Sequence, residues 1–159
     1  MKIRKATASD RQWIVRESEP IGGPRIVSRG VLRSLQQHNA IVALRDDRPI
    51  GFAVYRTDLP IVELLGLRAL DQWRGTGTGL LRELEARAKK MKAESIVLPT
   101  TNDNLSAIRF YQRRGYCLKS LNAGEFRRVL ALKGLDPDLT VVGQDGIIIR
   151  DEIVLEKCV

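Results

Sequence analysis

Three glycines at alternate positions, Gly75, Gly77 and Gly79, stand immediately ahead of Leu80-Leu81-Arg82-Glu83-Leu84, the start of an amphipathic helical pattern. Glycine turns the backbone tightly with φ above zero and lets a ligand come close to the amides. The first helical turn carries N–H groups with no partner inside the helix, and the helix dipole makes that end positive. A phosphate group suits such a place. The two commonest nucleotide motifs do not fit. A Walker A loop needs Gly-Lys-Ser or Gly-Lys-Thr, whereas Gly79 is followed by Leu80-Leu81. A Rossmann fingerprint needs a third glycine three residues after the second of a pair, and those positions hold Leu80 or Arg82. What the chain carries is R-x-x-G-x-G, as Arg74, Gly77 and Gly79, with Gly75, Thr76 and Thr78 interspersed. The plainer alternative is a glycine-rich turn that only links a strand to a helix.

Composition sets the frame for this loop. A length of 159 residues suits one domain, residues 1–159, with a sizeable core. Hydrophobic residues make up 43% and charged residues 29%, a soluble globular balance. No stretch approaches the ~18 apolar residues of a membrane span. Met1-Lys2-Ile3-Arg4-Lys5 is not followed by an apolar run, which argues against secretion. Cys117 and Cys158 are too few for a disulfide framework, so a cytoplasmic setting is expected. One histidine, His38, and two distant cysteines make no metal site, and none is expected; His38 reads as structural or surface. The net charge of +8 favours polyanions. The cations are spread along the chain and only 5% of residues are aromatic, which weighs against nucleic acid as the partner.

The elements that must position the loop follow from periodicity. Lys2 to Ala6 predicts a strand, and Asp10 to Ser18 a helix capped by Thr7 or Ser9, with Trp13 and Ile14 inward. Pro20 to Pro24 breaks regular structure, Ile26 to Ser28 is extended, and Val31, Leu32 and Leu35 give a weak helical pattern ending near His38. Residues 18–38 are expected to form an irregular wall and a substrate opening. Ala40 to Leu44 and Ile50 to Tyr55 predict a hairpin, and Ile61 to Leu67 a third antiparallel strand leading into the glycine loop. Leu81, Leu84, Ala88 and Met91 mark the buried stripe of the next helix, with Glu83–Arg87 and Glu85–Lys89 on its outer face. Ser95 to Leu98 is a short strand parallel to the one before the helix. A helix with Leu105, Ile108 and Gln112 on one stripe, capped by Asn102 or Asp103, ends at Gly115. A strand from Tyr116, a helix over Glu125 to Leu132 and a strand over Ile147 to Leu155 complete the chain.

Asn104, Ala107, Phe110, Tyr111, Gly115 and Tyr116 fit N-x-x-A-x-x-F/L-Y-x-x-x-G-F/Y. Following R-x-x-G-x-G in the right order, with a strand between, this pair of motifs resembles the GNAT superfamily of acyl-CoA N-acyltransferases. The resemblance covers roughly residues 40–118. It implies an α/β (α+β) fold with a mixed, mostly antiparallel central sheet and helices on both faces, and it implies acetyl-CoA as co-substrate.

The resemblance also distributes roles. Amides of Arg74, Gly75, Thr76, Gly77, Thr78 and Gly79 would hold the coenzyme diphosphate, Leu67, Arg68 and Ala69 the pantetheine arm and thioester carbonyl, and Asn104 and Tyr111 would complete the coenzyme contacts. Tyr111 stands where the family's general acid lies; a phenol of pKa ~10 can protonate a thiolate of pKa ~8.5. Glu63, eleven residues before Arg74, resembles the catalytic glutamate of histone-type members. Amid Ile61, Val62, Leu64 and Leu65 it is expected to be partly desolvated, which raises a carboxyl pKa. An exposed edge glutamate is equally compatible with the alternation. The implied reaction is transfer of acetyl from acetyl-CoA to a primary amine, small-molecule or peptide, by direct attack. The alternative is a non-catalytic CoA- or nucleotide-phosphate-binding module, regulatory or associated with nucleic acid. Residues 122–142 are expected over the acceptor side or against a second subunit, which leaves a homodimer open, and Asp151 and Glu152 are further candidates to meet an amine.

Overall fold

The computed structural model describes residues 1–71 and 74–159; Gln72 and Trp73, part of the stretch ahead of the glycine loop, lie outside the described residues. In chain order the elements are β1 (Lys2–Lys5), α1 (Ala8–Glu17), β2 (Arg25–Ser28), β3 (Val31–Ser34), β4 (Asn39–Arg45), β5 (Arg48–Asp58), β6 (Ile61–Ala69), α2 (Thr76–Lys90), β7 (Ser95–Thr101), α3 (Leu105–Gln112), β8 (Cys117–Asn122), α4 (Glu125–Leu132) and β9 (Glu152–Cys158). Seven strands form a mixed, mostly antiparallel sheet in the order β1-β4-β5-β6-β7-β9-β8, and β2 pairs with β3. This is the α+β architecture that the sequence predicts. Contacts divide the chain into two compact units, one of Met1–Ile26, Arg33–Ile96 and Val159, the other of Val27–Leu32 and Val97–Cys158.

In the first unit, β4 and β5 close a tight hairpin at Asp46 and Asp47, both with positive φ (50° and 57°), as the two-residue turn between Arg45 and Arg48 requires. Val42, Leu44, Phe52 and Val54 point to one face, where they pack with Ile14, Ile26, Leu35 and Leu65. The residues between them, Ile41, Ala43 and Ala53, are buried on the other face, toward which α2 turns Leu80, Leu81, Leu84 and Ala88. Each such leucine contributes about 1.5–3 kcal/mol of burial. Helix α1 starts at Thr7, whose N–H donates to Asp10 Oδ2 at 2.6 Å, and Arg4 Nη1 reaches the same oxygen at 2.5 Å. The predicted Glu83–Arg87 pair is present at 2.8 Å.

One expectation in this region is overturned. Val31 and Leu32 are not helical: they belong to β3, and only Leu35–Gln37 forms a short 3-10 turn. Arg29 and Gly30, at φ 51° and 71°, turn the chain back so that β3 returns along β2. Of the three apolar residues read as a stripe, Leu35 alone is buried.

The second unit holds α3, β8, α4 and β9. Helix α4 has the predicted bounds. The cap of α3 is Asn104, whose Oδ1 accepts from Ala107 N at 3.1 Å, rather than Asn102 or Asp103. Leu105 and Gln112 are exposed, so the predicted stripe is misplaced; Tyr111 is the buried residue of this helix. Gly115, at φ 86°, terminates the turn as expected. The last strand starts later than predicted, at Glu152. Asn102 holds the preceding backbone: its Nδ2 donates to Ile148 O (2.9 Å), and its Oδ1 accepts from Arg150 N (2.9 Å) and Asp151 N (3.0 Å). These bonds use groups that a strand ladder would need. Residues of α4 and of 137–140 line an open cleft of about 550 Å³ with Ile148 to Asp151, inside this unit.

Candidate functional site

Helix α2 is presented to solvent through Gly75, its N-cap, which adopts φ 84° with open space where a Cβ would project. The i→i−4 ladder begins with Gly79 N donating to Gly75 O at 2.9 Å, so Thr76, Gly77 and Thr78 stand ahead of it in the first turn. The glycine stretch is therefore less a loop than a helix terminus. Of the residues Arg74 to Gly79, Arg74 and Gly75 precede the helix, and the first turn contains no acidic residue. Gly79 serves packing: a Cβ there would come within 2.5 Å of Met1 Cε. Gly51 on β5 lies beneath the same turn, where a Cβ would meet Arg68 O at 2.7 Å and Thr76 Cγ2 at 2.9 Å.

Asp71 braces the entry to this helix. The Thr76 hydroxyl, and then the Arg45 guanidinium, hold its carboxyl below the usual carboxylate range. Arg45 Nη1 lies 2.7 Å from Asp71 Oδ2, close in distance but poorly aligned for a hydrogen bond, so the contact acts as an ion pair. The only carboxylate described beside the terminus thus carries its own counter-charge, and the positive helix end is left available to an anion.

Glu63 lies on β6 with no exposed surface. It is not an edge residue. Directly across the ladder stands Arg56, whose Nε donates to Glu63 Oε2 at 3.2 Å while its Nη2 pairs with Asp58. A carboxylate without water needs such a partner. The burial expected from the sequence is complete, and Arg56 is the cation that accompanies it. His38, read from sequence as structural or surface, belongs to this group. Burial lowers its pKa, Arg33 and Arg56 lower it further, and Glu63 pulls the other way.

The register of β6 changes just past this pair. Val54 pairs with Gly66 and Tyr55 with Leu64, which leaves Leu65 as an extra residue in a bulge. Leu67, Arg68 and Ala69 remain in the ladder opposite Ala53, Phe52 and Gly51. The Arg68 side chain is turned to α1, where Nη1 meets Glu17 Oε2 at 2.8 Å.

In the second unit, Asn104 is occupied as the α3 cap. Tyr111 is buried between Phe110 and Tyr116, with ring centroids 5.1 and 5.6 Å away. Burial pushes its phenol pKa up. Asp151 Oδ1 accepts from Gly124 N (2.9 Å) and Glu152 Oε1 from Asn122 Nδ2 (2.8 Å), so both are engaged in local structure.

A scan against family models matches residues 9–116 to the Acetyltransferase (GNAT) family. The chain belongs to this family. Among curated relatives, the uncharacterized protein YdhI of Bacillus subtilis (strain 168) is 33% identical over 133 residues, covering 84% of this chain and 81% of the relative. Among solved structures, a GNAT family acetyltransferase from Elizabethkingia anophelis with acetyl-CoA bound has a TM-score of 0.74 at 20% identity, covering 99% of this chain and 97% of that one. A Bacillus subtilis acetyltransferase in complex with CoA gives 0.70 at 19%, covering 99% of each chain. At these identities the structures show the GNAT fold, and the family model and the relative show the membership. No described helix of this acetyltransferase-family chain is long and apolar enough to cross a membrane.

Sequence reasoning missed Arg56, Arg33, His38 and the bulge at Leu65. Each depends on which residues meet across strands. The only advance signal was Arg56 standing seven positions before Glu63 across a turn, Asp58-Leu59-Pro60.

Proposed function

We propose that the chain is an acetyl-CoA-dependent N-acetyltransferase, acting as one domain on a primary amine. The observation that carries this reading is the α2 terminus: a left-handed glycine cap, a first turn without acids, and a neighbouring Asp71 already paired with Arg45. These residues suit the diphosphate of the coenzyme, with amides from Arg74 to Gly79 donating and Arg74 and Arg82 adding charge. The two CoA-containing structures of the same fold support the choice of coenzyme. Acetyl-CoA supplies acetyl as an activated thioester: a C–N bond to the amine forms as the C–S bond breaks, and the coenzyme departs as a thiol.

The remaining roles fall to side chains and backbone of this chain. Glu63 takes the proton that the attacking amine sheds, with Arg56 steadying the carboxylate. The bulged backbone at Leu65, together with Leu67 to Ala69, is assigned to the thioester carbonyl, since a bulge releases strand groups from the ladder. Tyr111 is assigned the proton given to the departing thiolate; burial keeps the phenol in its protonated, donating form.

Calorimetric titration with acetyl-CoA, followed by a free-thiol assay over a panel of amines, tests the reading. Binding with amine-dependent thiol release is expected, and Glu63→Gln should lower kcat by roughly 10²-fold with the coenzyme Kd unchanged. Binding without thiol release for any amine would overturn the catalytic assignment, and absence of binding would overturn the coenzyme assignment.

A further inference from the structure

The two end strands of the seven-stranded order are built differently. At one end β1 is Lys-Ile-Arg-Lys, four residues of which three are cations. Proteins guard open sheet edges with charges of this kind. At the other end β8 is Cys-Leu-Lys-Ser-Leu-Asn, and all six residues are exposed. It pairs with β9 alone, so the N–H and C=O groups on its outer side have no ladder partner among the described residues. Leu118 stands opposite Leu155 and Leu121 opposite Ile153, with Lys119 as the extra residue of a bulge between them. Leu155 and Ile153 lie two apart on β9 and share a face, so the bulge puts both leucines of β8 on that face as well. The face begins at fully buried Leu155 and runs out to Leu118 and Leu121, 55% and 63% exposed. On the polar side, Lys119 pairs with Glu156 and Asn122 donates to Glu152, each at 2.8 Å. The polar groups are met within the chain; the two leucines and the outer backbone are not.

We propose that β8 is a self-association edge, on which the β8 of a second copy of this chain pairs antiparallel about a two-fold axis. The bulge selects the occupant. A regular strand changes sides at every residue, so one laid against β8 would match Leu118 or Leu121 and not both. A second β8 carries the same irregularity. With Leu118 opposite the partner's Leu121, and Leu121 opposite the partner's Leu118, apolar residues meet on one face at both places. Lys119 then meets the partner's Ser120, and Cys117 meets the partner's Asn122 on the polar face. Moving the register by one residue sets Lys119 against its own copy in one direction and Leu118 against the partner's Asn122 in the other, and neither pair is favourable. The contact is isologous and uses up the unguarded edge of each copy, so assembly stops at two. Six residues a side fall short of the ~800 Å² per partner of a standard interface, so the dimer is reversible. Because the chain carries a net charge of +8 and the one cation of β8 is already paired, salt that screens the long-range repulsion tightens the pairing.

Sedimentation velocity of the full chain over a concentration series should show a monomer–dimer equilibrium with no larger species, tighter at high salt. Hydrogen exchange on the same samples should slow at the amides of residues 117–122 as concentration rises, a readout that needs no variant. Leu118→Lys combined with Leu121→Lys places like charges opposite each other and should raise the dimer Kd at least tenfold, with Tm nearly unchanged because both side chains are exposed. Asn122→Cys in a Cys158→Ser background tests the register. Across the axis the new thiol faces the partner's Cys117, whereas within one chain the two positions lie roughly 15 Å apart along the strand, beyond the reach of a disulfide. Oxidised glutathione should therefore yield a covalent dimer, and Cys117→Ser should abolish it. A chain that stays monomeric at every concentration would overturn the proposal. So would a dimer that leaves exchange at 117–122 unchanged or that survives the paired lysine substitutions, since its contact would lie on another surface.

Discussion

Replacing Gly51 with alanine tests whether the proposed coenzyme-binding end of α2 is set by the strand below it. Gly51 does not have positive φ, so alanine is permitted there and gains about 0.4–1 kcal/mol by restricting the unfolded chain. Against that gain stands a collision. The added Cβ would meet Arg68 O at 2.7 Å, Thr76 Cγ2 at 2.9 Å and Leu80 Cδ1 at 3.2 Å. Carbon contacts settle at about 3.5–4.0 Å, so α2 and β6 must both give by roughly half an ångström or more. The Arg68 oxygen is backbone and cannot rotate away. Overpacking of this kind costs about 1–3 kcal/mol, so the net expectation is a loss of about 1–2 kcal/mol. For a chain of this size that is a fall in Tm of about 2–8 °C. Because Thr76 opens the helix, the acetyl-CoA Kd should rise about three- to tenfold. Thermal unfolding by circular dichroism and calorimetric titration measure the two effects. Thr76→Ser in the Gly51→Ala background removes one obstacle and keeps the hydroxyl that faces Asp71, so it should recover part of the loss; the carbonyl remains. A Tm equal to or above wild type would show that backbone entropy outweighs the contact, and the proposed seating of α2 on Gly51 would be wrong.

Two further outcomes are expected. Tyr111→Phe should cut kcat by roughly 10²-fold with little change in the acetyl-CoA Kd. Because burial raises the phenol pKa above its ordinary 10.0, the wild-type pH–rate profile should lack an alkaline limb from Tyr111 below that value; a limb there that disappears in the Phe variant would refute the raised pKa, and an unchanged kcat in Tyr111→Phe would refute the acid assignment. Asp10 is held at a pKa of about 2, against an ordinary 3.8, chiefly by Arg4. A depressed carboxyl contributes stability above its unfolded pKa and loses it as pH falls through the folded value. The difference corresponds to at most about 2.5 kcal/mol, and screening of the one-third-exposed Arg4 reduces the expectation to about 1 kcal/mol. Asp10→Asn should therefore be less stable by that amount at pH 7 and indistinguishable at pH 2 in urea titrations, and an unchanged gap at pH 2 would contradict the ion-pair origin.

What was legible in the sequence was whatever is decided locally. The period of Leu81, Leu84 and Ala88 and the Asp46-Asp47 turn each depend on residues within a turn or two, and each appears where expected; the helix start does not, since α2 begins at Thr76, inside the stretch read as a loop. The environment of Glu63 is decided across strands, by one residue. Without the extra Leu65, the pairing of Val54 with Gly66 would continue to Tyr55 with Leu65 and Arg56 with Leu64, and Glu63 would fall opposite Thr57. Strand alternation would then turn Glu63 to the α2 face with Tyr55 and Thr57. The bulge moves it opposite Arg56, on the face shared with Val54 and Leu35, where His38 and Arg33 also act. A hydrophobic run such as Ile61-Val62-Glu63-Leu64-Leu65 gives no sign of where such a slip occurs, because both faces of β6 are buried and both registers bury apolar residues. The same irregularity thus sets which side chains surround the candidate base and which backbone lies next to it. Deleting Leu65, or restoring regular pairing by any other route, would alter both together, so the proposed base and the proposed carbonyl-binding backbone cannot be redesigned independently.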